Sequence, residues 1–199
     1  MSLTKLEAVN QILRAVGEQP VSSLASGLDD AESAEAVLDD TSAEVQAKGW
    51  HCNTDYNYKL TPNSSNRIPV PATALWLDTT GVSARLNVTE RKLSGTRHLY
   101  NVDEQTFTFT SPVYVDIIWK IDFEDLTVHL QNYIVAMAAQ TYQANELSSV
   151  ALDRFIMKKV EDTWVALLDA EGEAEDLNLI YSNESGRFIA RRNDPRYLF

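Results

Sequence analysis

The chain has 199 residues, of which 44% are hydrophobic and 23% are charged, a composition typical of a folded protein with one core, or one core carrying a protruding subdomain. No run of about 18 apolar residues occurs, and the N-terminus lacks the basic and apolar regions of a signal peptide, so we expect synthesis in the cytoplasm and no membrane contact. The formal net charge of −12 argues against tight binding of nucleic-acid phosphates.

The first predicted helix begins after Thr4. Thr4 and Glu7 have the spacing of a capping box, and apolar residues then recur at helical intervals until Gly17 provides a C-terminal stop. Pro20 follows closely, so we expect a sharp exit from this helix into a short hydrophobic turn.

A second helix is predicted from Asp29 to Gly49, because carboxylates suit a helix N-terminus and a glycine suits its end. Its outer face is acidic and carries Glu32, Glu35, Asp39, Asp40 and Glu44. This face should be solvated or should meet a partner.

The middle third, residues 51–121, has the period of β-strands. The clearest alternation of buried and exposed residues runs from Val113 to Ile121, and shorter ones occur at 56–60, at 84–88 and around Phe107 and Phe109. These alternations predict a small, mostly antiparallel β-region, for which a meander is one arrangement that would fit.

Two more helices are predicted after the β-region. Asp122 and Asp125 should open the third helix, and Ser148 or Ser149 should cap the fourth. The side chains expected to be largely buried in the helical core are Leu13, Val37, Ile134, Met137, Ile156 and Trp164.

The predicted fold class is therefore α+β: a four-helix bundle with an inserted antiparallel β subdomain and an extended C-terminal tail. The predicted segments are 1–50 for the first two helices, 51–121 for the β subdomain, 122–175 for the last two helices and 176–199 for the C-terminal extension.

The C-terminal extension differs in charge from the rest of the chain: residues 1–175 carry a formal charge of −13 and residues 176–199 carry +1. Basic and apolar residues alternate loosely in the extension, and we predict an assembly interface made by Arg187, Arg191, Arg192, Arg196, Phe188, Tyr197 and Phe199. Such a segment would dock on an acidic neighbour.

No pattern typical of catalysis, cofactor binding or metal binding occurs. The three histidines, His51, His98 and His129, do not have helical ligand spacing, and Cys52 is the single cysteine. Signatures of nucleotide, serine-hydrolase and zinc-protease sites are absent. We therefore expect no catalytic residues, no cofactor and no metal site.

Two stretches of sequence resemble the start of the tail tubular protein A family of T7-like, short-tailed bacteriophages. They are AVNQILRAVGEQPVSSL, from Ala8 to Leu24, and GWHCN, from Gly49 to Asn53, with the acidic helix between them. The resemblance implies a structural virion protein at the head-to-tail junction. It implies an adaptor ring of twelve copies between the portal protein and the tail nozzle (tail tubular protein B), through which double-stranded DNA passes without specific binding.

Two other classes of function stay open at this point. One is a tail-associated hydrolase of glycan or peptidoglycan that uses carboxylates of the β-region, with Asp103 and either Glu104 or Asp116 as the candidate pair. The other is a cellular interaction module of the helical-bundle type. The absent catalytic motifs argue against the first, and the N-terminal resemblance argues against the second.

Overall fold

The computed structural model describes residues 2–146 and 150–182. It contains helices and antiparallel sheets, so the predicted α+β class is confirmed. The chain divides into two compact units. The helical unit comprises Met1–Leu38 and Thr127–Phe199, and the β unit comprises Asp39–Leu126, which contains the whole segment predicted as the β subdomain.

The four long helices of the described chain are α1 (Lys5–Ala15), α2 (Asp29–Gln46), α3 (Val128–Glu146) and α4 (Val150–Ser182). α3 begins six residues after Asp122, because a short 3-10 turn at Phe123–Asp125 comes first. α4 extends seven residues beyond 175, the predicted end of the last helix. The predicted cap at Ser148 or Ser149 lies outside the described residues.

In the helical unit, α3 packs against both α1 and α4. Three side chains are buried as predicted: Leu13, Ile134 and Ile156. Val37, Met137 and Trp164 are less completely buried than these three. The Trp164 ring lies beside Tyr133, with the two centroids 5.1 Å apart.

The β unit contains five strands: β1 (Thr54–Leu60), β2 (Ala74–Thr79), β3 (Val88–Leu93), β4 (Thr96–Asn101) and β5 (Val113–Trp119). The three-stranded sheet has the order β1-β5-β2, with β5 antiparallel to both neighbours, and β3 pairs with β4 as a separate hairpin. The meander is therefore wrong, since the last strand along the chain occupies the centre of the sheet.

The strand β5 confirms the clearest alternation in the sequence. Val113, Val115 and Ile117 are at most 1% exposed and belong to the main apolar cluster of this unit. Of the weaker alternations, the one at 56–60 is confirmed by β1, whereas residues 84–87 are not in a strand and Phe109 reaches the core from an irregular segment. An apolar residue can be buried from any backbone conformation, so short alternations have little predictive power.

Candidate functional site

The opening of the chain is held by a reciprocal cap and a left-handed stop. Thr4 Oγ1 accepts a hydrogen bond from the Glu7 N–H at 3.2 Å, and a Glu7 carboxylate oxygen accepts one from the Thr4 N–H at 2.9 Å. The bonds that the Thr4 N–H and the Thr4 hydroxyl donate to this carboxylate lower the pKa of Glu7. At the other end, Gly17 has a φ of 86° and the Glu18 N–H donates to the Leu13 carbonyl at 2.9 Å, as in a Schellman motif.

Asn10 fixes the chain that leaves this helix. Its Oδ1 accepts from the Val21 N–H at 2.7 Å, and its Nδ2 donates to the Val21 carbonyl at 2.9 Å. A single amide thus satisfies both backbone groups of Val21, which no regular element pairs. The stretch that carried the resemblance is therefore a structural motif of the helical unit.

The second stretch, Gly49 to Asn53, joins the end of α2 to the sheet. Asn53 Nδ2 donates to the carbonyls of Gln46 at 3.0 Å and Trp119 at 2.9 Å. Gly49 has a φ of 76°, and a Cβ there would lie 2.8 Å from Ile118 Cδ1, so glycine is required for both conformation and space.

Two buried glutamines also form hydrogen bonds with backbone groups of irregular segments. Neither was predicted from the sequence. Gln46, which is fully buried, donates to the Ile121 carbonyl at 3.0 Å and accepts from the Ile121 N–H at 2.8 Å. In the helical unit, Gln131 accepts from the Leu3 N–H at 2.9 Å. The sequence feature that could have indicated them is a polar residue within the apolar stripe of a helix. A buried amide there must find a hydrogen-bond partner, because leaving it unpaired would destabilise the fold.

Two of the carboxylates considered for hydrolysis accept hydrogen bonds within the β unit: Asp103 accepts from Asn87 Nδ2 at 3.1 Å, and Asp116 accepts from a backbone N–H. Asp103 and Glu104 lie in the turn after β4, where both backbone N–H groups donate to Asn101 Oδ1 at 3.1 Å. Asp116, on β5, accepts at 2.9 Å from the backbone N–H of Asn57, which has a φ of 56° in a β-bulge. The bond to Asp116 thus supports a strained strand position.

The histidines and the cysteine do not form a metal site within residues 2–146 and 150–182. No group of three His, Cys, Asp or Glu side chains there could hold a metal ion. His98 Nδ1 lies 3.0 Å from the Thr96 carbonyl oxygen, so this imidazole contacts the backbone of its own strand, β4.

Large exposed apolar side chains are the notable surface feature of the helical unit. On α4, Phe155 is 78% exposed and Val165 is 56% exposed, while Met157 and Leu168 are each 46% exposed. One flank of α4 also borders a groove of about 410 Å³ between α1 and α4. Apolar surface of this extent on one helix is typical of a protein–protein contact.

The β unit has a smaller aromatic surface. Tyr56 is 73% exposed and Trp76 is 47% exposed, and both border a shallow cavity of about 400 Å³ together with Asp116 and Ile118. The predicted interface residues lie outside the described residues: Arg187, Arg191, Arg192, Arg196, Phe188, Tyr197 and Phe199.

Where the chain is described, no helix is both long and apolar enough to cross a membrane. Large apolar side chains exposed on a helix surface are typical of the class of proteins that work through contacts with other proteins.

Comparison with known proteins identifies the family. Residues 6–177 match the family model described as "Tail tubular protein". The chain is also 26% identical over 145 residues to tail tubular protein A of Klebsiella phage KP34, covering 73% of this chain and 74% of that relative. The chain belongs to the tail tubular protein family, and it is a structural protein of a bacteriophage tail. The predicted resemblance is confirmed.

Proposed function

We propose that this chain is the head-to-tail adaptor of its phage. Twelve copies form a ring between the portal protein and the tail nozzle, and the ring encloses part of the channel through which DNA leaves the capsid. Family membership supports the tail location. The observation that carries the adaptor role is the row of exposed apolar side chains on α4, because a ring needs subunit surfaces that a solitary protein would bury.

The acidic character of the chain suits a channel that does not bind the DNA passing through it. On α2, the predicted acidic face is present: Glu32, Asp39, Asp40 and Glu44 are exposed, while Glu35 is partly buried and pairs with Lys5 at 2.8 Å. Acidic groups repel phosphates, whereas a basic lining would bind DNA through counterion release. The duplex would therefore slide past an acidic ring without specific binding.

The ring is tested by light scattering and negative-stain microscopy of the purified chain, alone and with the portal protein of the same phage. We expect monomers alone, because copies with a net charge of −12 repel one another, and a twelve-membered ring on the portal. Failure to bind the portal at low ionic strength would contradict the adaptor function.

The C-terminal extension has a test of its own. Deleting residues 187–199 should leave the thermal melting of the protein unchanged and should weaken portal or neighbour binding, because Arg–carboxylate pairs would be lost. A shorter deletion of 197–199, which removes Tyr197 and Phe199 of the predicted interface but retains all four arginines, should weaken binding less and shows how much the arginines contribute. Normal assembly of the longer deletion would show that these residues are not an interface.

The hydrolase alternative is tested on peptidoglycan and host capsule by measuring release of soluble sugar. The Asp103 carboxylate already accepts from the Asn87 side chain and the Asp116 carboxylate from the Asn57 N–H, so we expect no activity. Sugar release by the unmodified chain that is lost in Asp116→Asn would support the hydrolase hypothesis, provided that the variant melts at the same temperature.

A further inference from the structure

The helical unit has a groove with a chemical character unlike that of the rest of the chain. Its floor is apolar and formed by α3 residues Val135, Ala136 and Ala139. Phe155 and Ile156 of α4 form one wall. An occupant of this groove would have to bring apolar side chains to match the floor.

The rim of the groove is basic. Arg14 and Lys159 line it and are exposed, and neither forms an ion pair within the described part of the chain. Two such cations beside an apolar floor favour an occupant that is both apolar and acidic. The chain itself, with a net charge of −12, is a source of acidic surfaces.

A complementary surface lies on the other flank of α4. Met157, Val165 and Leu168 are exposed. Glu161, Val165 and Leu168 follow Met157 after about one, two and three turns of the helix. Glu161 is exposed and forms no ion pair with any described residue. This stripe therefore carries apolar side chains together with an available carboxylate.

The groove and the stripe face different directions. At about 100° per residue, Phe155 lies roughly 200° around α4 from Met157 and roughly 220° from Leu168. Ile156 and Leu167, which point between them, are buried. By the same count Glu161 lies about 240° and Val165 about 280° around α4 from Phe155, so the stripe extends from the flank opposite the groove to the outer face of the helix. A subunit thus carries two unlike surfaces at different positions around one helix, the arrangement that a head-to-tail contact requires.

We propose that the stripe of one copy, Met157, Glu161, Val165 and Leu168, docks in the groove of the next copy, with Glu161 close to the Arg14 and Lys159 rim. This inference rests on the proposed ring function and names the surfaces that build it. A two-fold contact of groove with groove is disfavoured, because it would place the cations of both rims together. The contact therefore repeats from copy to copy.

The test is a charge swap in the full-length protein on the portal. Lys159→Glu gives the groove the sign of the stripe, and Glu161→Lys gives the stripe the sign of the groove. Each variant alone should form about tenfold less ring than the unmodified chain, because like charges then face each other at every contact. An equimolar mixture of the two variants should recover the ring, since each groove then meets a stripe of opposite charge.

Three controls distinguish a loss of the proposed contact from unfolding and from a general effect of added charge. Lys158→Glu alters a neighbouring exposed lysine that pairs with Asp162 at 3.4 Å and does not line the groove, so it should assemble normally. Thermal melting of every variant establishes that it is folded. Leu168→Ser should reduce ring formation without any change of charge.

The outcomes are distinct. Loss of ring in both single variants with recovery in the mixture supports the contact. If the unmodified chain forms a ring and the single variants do so equally well, or if the mixture fails to recover, the contact is wrong and the adaptor function stands. If the unmodified chain forms no ring on the portal, the contact and the proposed function both fail.

Discussion

The two units of this chain use the same kind of buried polar side chain but expose different surfaces. In the helical unit, the buried Gln131 and the partly buried Asn10 bind backbone groups of irregular segments. In the β unit, the buried Gln46 binds Ile121, and the buried Asn53 binds the carbonyl of Trp119 at the end of β5. The helical unit leaves a series of large aliphatic and aromatic side chains exposed along one helix, whereas the β unit exposes mainly aromatic residues near one sheet. Buried amides therefore stabilise the fold in both units, and exposed apolar residues indicate where each unit meets another protein.

The largest expected effect is in the apolar core of the β unit. Ile117 is fully buried at the centre of β5, so Ile117→Ala should lower the free energy of unfolding by about 2–5 kcal/mol. Hydrogen exchange of the β5 amides measures this change. The matched control is Tyr56→Ala on β1, where the side chain is 73% exposed and the effect should be small. Equal effects at both positions would contradict the assigned core.

Removing the buried amide of Gln46 should have an effect of similar size to opening the core. Gln46→Ala leaves the N–H and the carbonyl of Ile121 without their partner, and each orphaned group costs about 1–3 kcal/mol unless water replaces the amide. Gln46→Glu places a carboxylate in a fully buried site and against the Ile121 carbonyl, so denaturant unfolding at neutral pH should rank it no higher than the alanine variant. A neutral result for Gln46→Ala would show that water substitutes for the side chain.

The helical unit should respond to alkaline pH through Tyr142, which is 1% exposed. Burial, followed by the negative charges of Glu18, Asp30 and Glu146, raises the pKa of Tyr142 well above its usual 10.0. Above pH 10.0 the unfolded chain loses the phenolic proton while the folded chain keeps it, so stability falls as the pH rises.

The slope contributed by this group is at most about 1.4 kcal/mol per pH unit, and Tyr142→Phe should remove it. Denaturant unfolding between pH 9 and pH 11 measures the slope. The exposed Tyr56→Phe serves as the control, since its phenol is accessible to solvent in both states. An unchanged slope in Tyr142→Phe would contradict this assignment.

The smallest expected effect is at the cap of α1. Thr4→Ala should destabilise the protein by about 1 kcal/mol, whereas Thr4→Ser should be nearly neutral because the hydroxyl is retained. The hydrogen bonds from Thr4 lower the pKa of Glu7, so the contribution of this carboxylate is present above pH 4.5 and is lost as the pH falls through the lowered value.

Thermal melting at pH 7 and pH 3 compares the two variants with the unmodified chain. The difference between Thr4→Ala and the unmodified chain should shrink at pH 3, because the contribution of the Glu7 carboxylate decreases as the pH falls below 4.5. A difference that is the same at both pH values would show that the carboxylate plays no part in the cap.

The sequence by itself determined the features that depend on neighbouring residues. Thr4, Glu7 and Gly17 predicted the start and stop of α1, because capping bonds and a left-handed turn are local. The long alternation from Val113 predicted β5 for the same reason. The two N-terminal stretches also identified the family, because their residues meet specific backbone requirements at Asn10, Gly49 and Asn53.

Only the tertiary structure decided which strands pair and which side chains are left outside. The central place of β5 depends on partners distant in sequence, and no local pattern encodes that pairing. Trp164 was expected inside and is only partly buried, since burial depends on how much of α4 its neighbours cover. The same incomplete cover leaves Phe155 and Val165 exposed, so the surface available for assembly follows from packing and not from periodicity.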